Sequence, residues 1–261
     1  MFQKPLSLKV AGLLGLAAGL FYVLFSLDFA TQMQSVDPYA DRDWKAVLEQ
    51  VAQDAGPQML TQTLAFGAAV LLIGFLLGLA AHASKGHPSL AALSGIFLIA
   101  SAGMLALRAI WNAFVQVPMA ITYHGISDLA FRQLLQDHYR LDIFTSFFFA
   151  WAYIFLVAVG LLLMGLALTP VKDMARLLPI TFLLAGLGCL AFIPAMAYVG
   201  NETFMTRHFD RILASRFLFV AWFLPGLAYL TAGTWLMREG FRLETPEEAD
   251  EAPEAKLPKA A

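Results

Sequence analysis

A chain of 261 residues that is 59% hydrophobic and 14% charged, with mean hydropathy +0.68, is not built like a water-soluble domain, where about 25% of residues carry charge. Its net charge of −2 leaves no basic footprint for nucleic acid. The single cysteine, Cys189, rules out a disulfide framework, a CxxC redox pair and a thiolate metal cluster within one chain, and reads as a small packing residue.

The first membrane span is predicted at Leu8–Leu27, closed by Asp28. Its apolar run exceeds the roughly 7–15 residues of a signal-peptide core and shows no Ala-x-Ala site, so it reads as an uncleaved span. Gly12, Gly15 and Gly19 lie on one side, where Gly15-x-x-x-Gly19 admits a neighbouring helix at close range. In the connector that follows, Trp44, Val47, Leu48 and Val51 recur at helical spacing. That helix is predicted to start at Asp41 or Asp43, to stop at Gly56-Pro57, and to lie on the membrane interface.

Span two is predicted at Met59–Ala83, with Gly74-x-x-x-Gly78 as a second close-packing pair. The turn HASKGHPS leads to span three, Ser89–Ala109, with Arg108 at its far end. Ile110–Tyr123 holds Asn112, Gln116 and Pro118 and reads as a broken or interfacial continuation. The segment SDLAFRQLLQDHYRLD, N-capped by Ser127 or Asp128 and with Leu129, Leu134, Leu135 and Leu141 on one side, runs straight into span four, Ile143–Leu168.

Span five is predicted at Leu177–Val199. A connector follows, capped by Asn201, with Phe204, Phe209, Ile212 and Leu213 as its apolar face. Span six, Phe217–Met237, carries Pro225, which a membrane helix accommodates as a kink. Each of these spans offers at least the ~20 apolar residues that cross about 30 Å of hydrocarbon. The fold class is therefore all-α, a polytopic transmembrane bundle of six spans in three hairpins with short amphipathic helices in the connectors. The bundle occupies residues 1–243, and the acidic, Pro/Ala-rich tail 244–261 is predicted to be disordered. The three hairpins suggest a threefold pseudo-repeat.

Counting Lys and Arg near the span ends puts both termini in the cytoplasm of an inner-membrane protein, by a margin of nine basic residues to seven.

The candidate ligand-binding residues are Arg108, Asn112, His124, Asp137, His138, Asp142, His208 and Asp210. Arg108 needs a route to water or a carboxylate partner such as Asp128, Asp142 or Asp210, because a buried cation in a membrane is costly. The His and Asp residues of the connectors suit acid–base work or a first-row metal if they converge. No HExxH or His-x-x-x-His spacing supports a metal, so none is expected. His82 and His87 sit at span ends and not where haem ligands project. No span holds an interior Lys for a retinal Schiff base, and no Walker A sequence occurs. No cofactor is expected.

The opening LKVAGLLGL, the phrase LLQDHYRLDIFTSFFFAWAYIFLVAVGLLL and the later ARLLPITFLLAGLGCLAF together resemble a family of bacterial six-span membrane proteins known as domain of unknown function 4386. The matching features are Asp137-His138 ahead of a Phe/Trp-rich span, the basic turn Lys172–Arg176 and a Gly-rich span after it, within Leu8–Met237. The acidic tail departs from the pattern. The resemblance implies six helices in a bacterial inner membrane and brings no activity or substrate.

Two functions remain. One is a non-enzymatic bundle, permease-like or partner-binding, whose partners are membrane lipids and another membrane protein or a second copy. The alternative is a membrane-embedded enzyme that uses the connector His/Asp cluster on a lipid or periplasmic substrate. Convergence of His124, His138, Asp142, His208 and Asp210 over a pocket is what separates them.

Overall fold

The computed structural model of the chain describes residues 5–35, 44–171, 176–199 and 211–242. All regular structure in these residues is helical: α1 (Pro5–Ser35), α2 (Trp44–Gln53), α3 (Ala55–Ala83), α4 (Pro88–Trp111), one turn of π-helix (Asn112–Gln116), α5 (Val117–Gly125), α6 (Leu129–Leu168), α7 (Leu177–Val199) and α8 (Arg211–Arg242). Among the described residues, four segments are long and apolar enough to cross a membrane: Ser7–Leu27, Ala55–Ala83, Pro88–Gly125 and Phe148–Leu168. The predicted tail, the caps at Asp41, Asp43 and Asn201, the basic turn from Lys172, and His208 and Asp210 lie outside the described residues.

The six long helices close into a ring in chain order. α1 packs on α3, α3 on α4, α4 on α6, α6 on α7, α7 on α8, and α8 back on α1. Small residues make the ring tight. Gly12 and Gly19 of α1 lie against Gly233, Met237, Gly226 and Leu230 of α8, and Gly78 of α3 meets Ala11. Buried positions on α3 are rich in Ala (Ala65, Ala68, Ala69), while Leu60, Phe66, Val70, Ile73 and Leu77 point outward. The same distribution recurs on α1, with Val10, Leu13, Leu20 and Leu24 outside, and on α7, with Ile180, Leu184 and Leu187 outside. An outer surface of large aliphatic residues, with small residues where helices touch and Leu, Phe and Tyr filling the rest of the core, suits a lipid solvent, which gives helices no hydrophobic reason to hide their Leu side chains.

Several elements differ from expectation. α1 continues past Asp28 to Ser35, because a charge ends an apolar span without ending a helix that has reached water. α2 stops at Gln53, just ahead of Gly56-Pro57, but that pair also opens the next helix. It lies in the first turn of α3, where a proline's missing N–H costs nothing. Ile110–Tyr123 is not broken: the helical path from Pro88 to Gly125 is continuous through the π turn, whose closing bond runs from Val117 N–H to the Asn112 carbonyl. Pro118 in a regular α-helix clashes with the carbonyl four residues back. Widening the turn just before it relieves the clash without interrupting the helix. Pro225 lies inside α8, as the sequence predicts.

α6 has 40 residues and is therefore about 60 Å long, twice the hydrocarbon thickness. Its N-terminal half extends beyond the apolar span Phe148–Leu168 and packs beside α5, and α2 packs on both. Leu48 is fully buried, and Trp44, Val47 and Val51 join Met119, Ala120, Tyr123, Leu135 and Tyr139 in a second apolar cluster separate from the main core. The apolar face of α2 is thus covered by protein. On α6, Leu135 turns into this cluster while Leu129, Leu134 and Leu141 stay exposed, so the four do not share one environment. Asp128 caps α6, its Oδ1 accepting from Ala130 N at 2.9 Å and Phe131 N at 3.3 Å.

Candidate functional site

At the centre of the ring, Tyr22 of α1 stands 5.9 Å from Tyr229 of α8 and 6.3 Å from Tyr153 of α6, ring centre to ring centre. Phe75 of α3 completes the group at 5.9 Å from Tyr229. Arg108 brings its guanidinium in from α4 beside Tyr22, and Cys189 of α7 is a buried neighbour of Tyr22 and Tyr229. All six long helices therefore contribute to one buried aromatic and cationic cluster. Arg108 was expected to anchor at the interface or to pair with Asp128, Asp142 or Asp210. Tyr22 is one of its neighbours, Asp128 caps α6, Asp142 faces Trp111 and Gln116, and Asp210 lies outside the described residues.

Above this cluster a polar strip climbs α4. Arg108, Asn112 and Gln116 follow at four-residue steps, which places successive side chains about 5–6 Å apart on one side. Asn112 and Gln116 are 8% and 9% exposed. Asn112 Nδ2 reaches Gln62 Oε1 of α3 at 3.4 Å, a weak contact. At the top of the strip stands Asp142 of α6, 7% exposed, with the Trp111 indole N–H and the Gln116 amide directed at its carboxylate. Neither donor closes to a hydrogen bond. Trp111 Nε1, Gln116 Nε2, Asp142 Oδ2 and Asn112 Oδ1 are all buried without a partner. Each such group costs about 1–3 kcal/mol, so four of them concentrated around a single turn of π-helix mark a site and not ordinary packing.

The electrostatics at this level are set by burial. Burial raises the Asp142 carboxyl above its ordinary value, opposed by the Trp111 and Gln116 donors and by the charge of His138 one turn away. Burial, with the Asp142 charge second, pushes the Tyr139 phenol up to about 12.

The remaining candidates are dispersed. His124 is exposed at the end of α5, and Asp137 is exposed on α6, where Gln133 Nε2 donates to it at 3.3 Å. His138 is exposed beside Asp142. His82 is buried edge-on to Trp235 at 4.7 Å, and His87 is exposed. Among the described residues, no three His, Cys, Asp or Glu side chains come together as a metal ligand set. The structure therefore unites Arg108, Asn112 and Asp142 in one strip, with His138 at its mouth, and leaves His124 and Asp137 apart.

Sequence reasoning missed Trp111 and Gln62 and did not select Gln116 for the site. Gln62 and Gln116 were detectable as amides inside apolar runs, and Gln116 stands four residues after Asn112. Trp111 was not detectable, because a Trp near a span end has the same pattern as an interfacial anchor.

These features define the class: an all-helical bundle with four described helices of membrane-crossing length and a buried polar strip along one of them. No family model matches the chain, and no curated protein or solved structure matches it either.

Proposed function

We propose that the chain is an integral protein of a bacterial inner membrane. In this reading six helices, α1, α3, α4 with α5, α6, α7 and α8, cross the bilayer in three hairpins with both termini in the cytoplasm. It acts as a small permease-like bundle and carries out no covalent chemistry of its own. The observation that carries this reading is the apolar outer surface, in which large aliphatic side chains face outward along α1, α3, α4 and α7 on helices long enough to cross a bilayer. The polar strip supports the permease-like form over a purely structural bundle, since buried polar groups in membrane helices face pathways or binding sites. The resemblance to the six-span bacterial family supports the span count and the compartment.

The test is fractionation of cells expressing the full chain. The protein is expected in the membrane fraction, resistant to alkaline carbonate and released by detergent. A folded monomer in buffer without detergent overturns the reading. A reporter fused after Ala261 that is active only in the periplasm overturns the sidedness alone.

A further inference from the structure

The polar strip does more than interrupt an apolar helix. It has an outer end at the exposed His138 and runs through Asp142, Gln116 and Asn112 to Arg108 and the tyrosines of the ring centre. Every member between His138 and Arg108 is a group that donates or accepts hydrogen bonds, and the three middle ones are at least nine-tenths buried. Two apolar clusters enclose the strip: the main core around Leu105, Ala109 and Tyr153 on one side, and the α2–α5–α6 cluster around Leu48, Ala120 and Tyr139 on the other. Among the described residues the strip holds one carboxyl group, and that group faces two N–H donors, Trp111 and Gln116, that make no hydrogen bond to it.

We propose that Asp142 is a proton-binding site, reached from one membrane face past the exposed His138 and set against the buried amides of Gln116 and Asn112. A proton needs no cavity, which fits a carboxyl packed among side chains and open to water only towards His138. The ionised carboxylate draws the Trp111 and Gln116 donors onto itself and clamps α6 to the π turn. The neutral acid is a donor in its own right and releases that clamp. Binding transfers one proton from water to one Asp142 oxygen and changes the local charge from −1 to 0, with no other reactant. This deepens the permease-like reading by naming the ion, and it rests on that reading only for there being a membrane face.

The ionisable groups that act on Asp142 are His138 and Tyr139, both on α6. The π turn and α4 bring Gln116 and Trp111, which carry no charge, and Arg108, two turns deeper, acts on Tyr22. α2 brings Trp44 onto Tyr139 at 6.4 Å between ring centres, and α3 brings Gln62 to Asn112.

The experiment is infrared difference spectroscopy of the full chain in detergent across a pH titration, following the C=O stretch of a protonated carboxyl. The wild type is expected to show such a band persisting above the ordinary carboxylate range, and Asp142→Asn is expected to lose it. Gln116→Leu removes a donor that favours the anion, and His138→Ala removes a favourable charge, so each is expected to move the band's midpoint to higher pH. A band unchanged in Asp142→Asn, or one that titrates in the ordinary carboxylate range, overturns the proposal. Should Asp142→Asn not accumulate as folded protein, Asp142→Glu keeps the carboxyl and must shift the band, and an unshifted band overturns the proposal equally. The titration runs whether or not the chain requires detergent, so failure of the membrane reading and failure of the proton site give different results.

Discussion

Replacing Gly233 by Ala is the most direct test of how the ring is held shut. A Cβ built at Gly233 falls 2.6 Å from Leu16 N, 2.8 Å from Gly15 C and 2.9 Å from Gly12 O. All three are backbone atoms of α1, so no side chain can rotate away, and the two helices must separate instead. Overpacking of this kind costs about 1–3 kcal/mol, and separation also loosens the Gly12 and Gly19 contacts along the same seam. In a chain of this size each kcal/mol corresponds to roughly 2–4 °C in Tm, so Gly233→Ala is expected to lower Tm by about 2–12 °C. Gly103→Ala is the matched control. It sits inside α4 with nothing within 4 Å of the new methyl, and the helix propensity of Ala over Gly, up to about 1 kcal/mol, makes it neutral or stabilising. Both variants are measured by thermal unfolding in the same detergent, monitored by circular dichroism. A Gly233→Ala protein as stable as wild type, or a Gly103→Ala protein that is the less stable of the two, refutes the claim that α1 and α8 meet backbone to backbone.

Leu48→Ala removes a fully buried side chain from the second cluster and is expected to cost about 2–5 kcal/mol locally. Its readout is faster proteolysis within α2, Trp44–Gln53, with the six long helices still resistant. Ser94→Ala deletes the 2.8 Å bond from Ser94 Oγ to the Gly160 carbonyl that ties α4 to α6. Interhelical bonds of this kind average about 0.6 and reach about 1.7 kcal/mol, so Tm is expected to drop by no more than a few degrees, and a larger loss means the bond was not the main thing removed. Asp128→Ala takes away the cap of α6, a loss of about 0.5–2 kcal/mol, read as faster hydrogen exchange confined to the first turn after residue 128. Asp142 also sets a pH dependence of stability. Its folded pKa is raised by burial, so its contribution is fully present below the unfolded value of about 3.9 and is lost as pH rises through the folded value. The Tm of Asp142→Asn minus that of wild type is therefore expected to grow as pH rises from about 4, and a constant difference contradicts the burial argument.

Which parts of this fold could be read in advance depends on whether the governing physics is local. Span positions follow from unbroken apolar runs, so α7 falls on the expected residues and α3 and α4 differ from expectation only at their ends. The Gly12-Gly15-Gly19 face and the Gly74-Gly78 pair were legible because a missing Cβ on one helical face has few uses other than close packing, although nothing in the pattern says that α8 receives the first and α1 the second. Asp128 was legible as a cap for the same local reason. The burial of α2 was not, because an amphipathic face has one sequence signature whether it meets lipid or protein. Deciding between them requires knowing that α6 projects far enough to receive it, and its 40-residue length becomes apparent only when the connector is recognised as an extension of the span.

The polar strip is the harder case, and it shows where a periodicity argument reaches its limit. Asn112, Gln116 and Pro118 read as a break because two amides and a proline in an apolar run each weaken the case for a membrane helix. The chain keeps the helix by adding one residue to a single turn, and that insertion turns Trp111, Asn112 and Gln116 inward while Phe114 stays outside. A 3.6-residue template cannot anticipate the rotation, so the side chains that meet Asp142 could not be chosen from the sequence. The unsatisfied polar groups gather at this same turn. A π turn widens the helix against its neighbours, and Trp111 and Gln116 at that turn face Asp142 without a hydrogen bond to it. That gap lies directly ahead of Pro118. Replacing Pro118 with Ala, which lets the turn relax to regular α-helix, is expected to close or remove that gap and to move the Asp142 titration along with it.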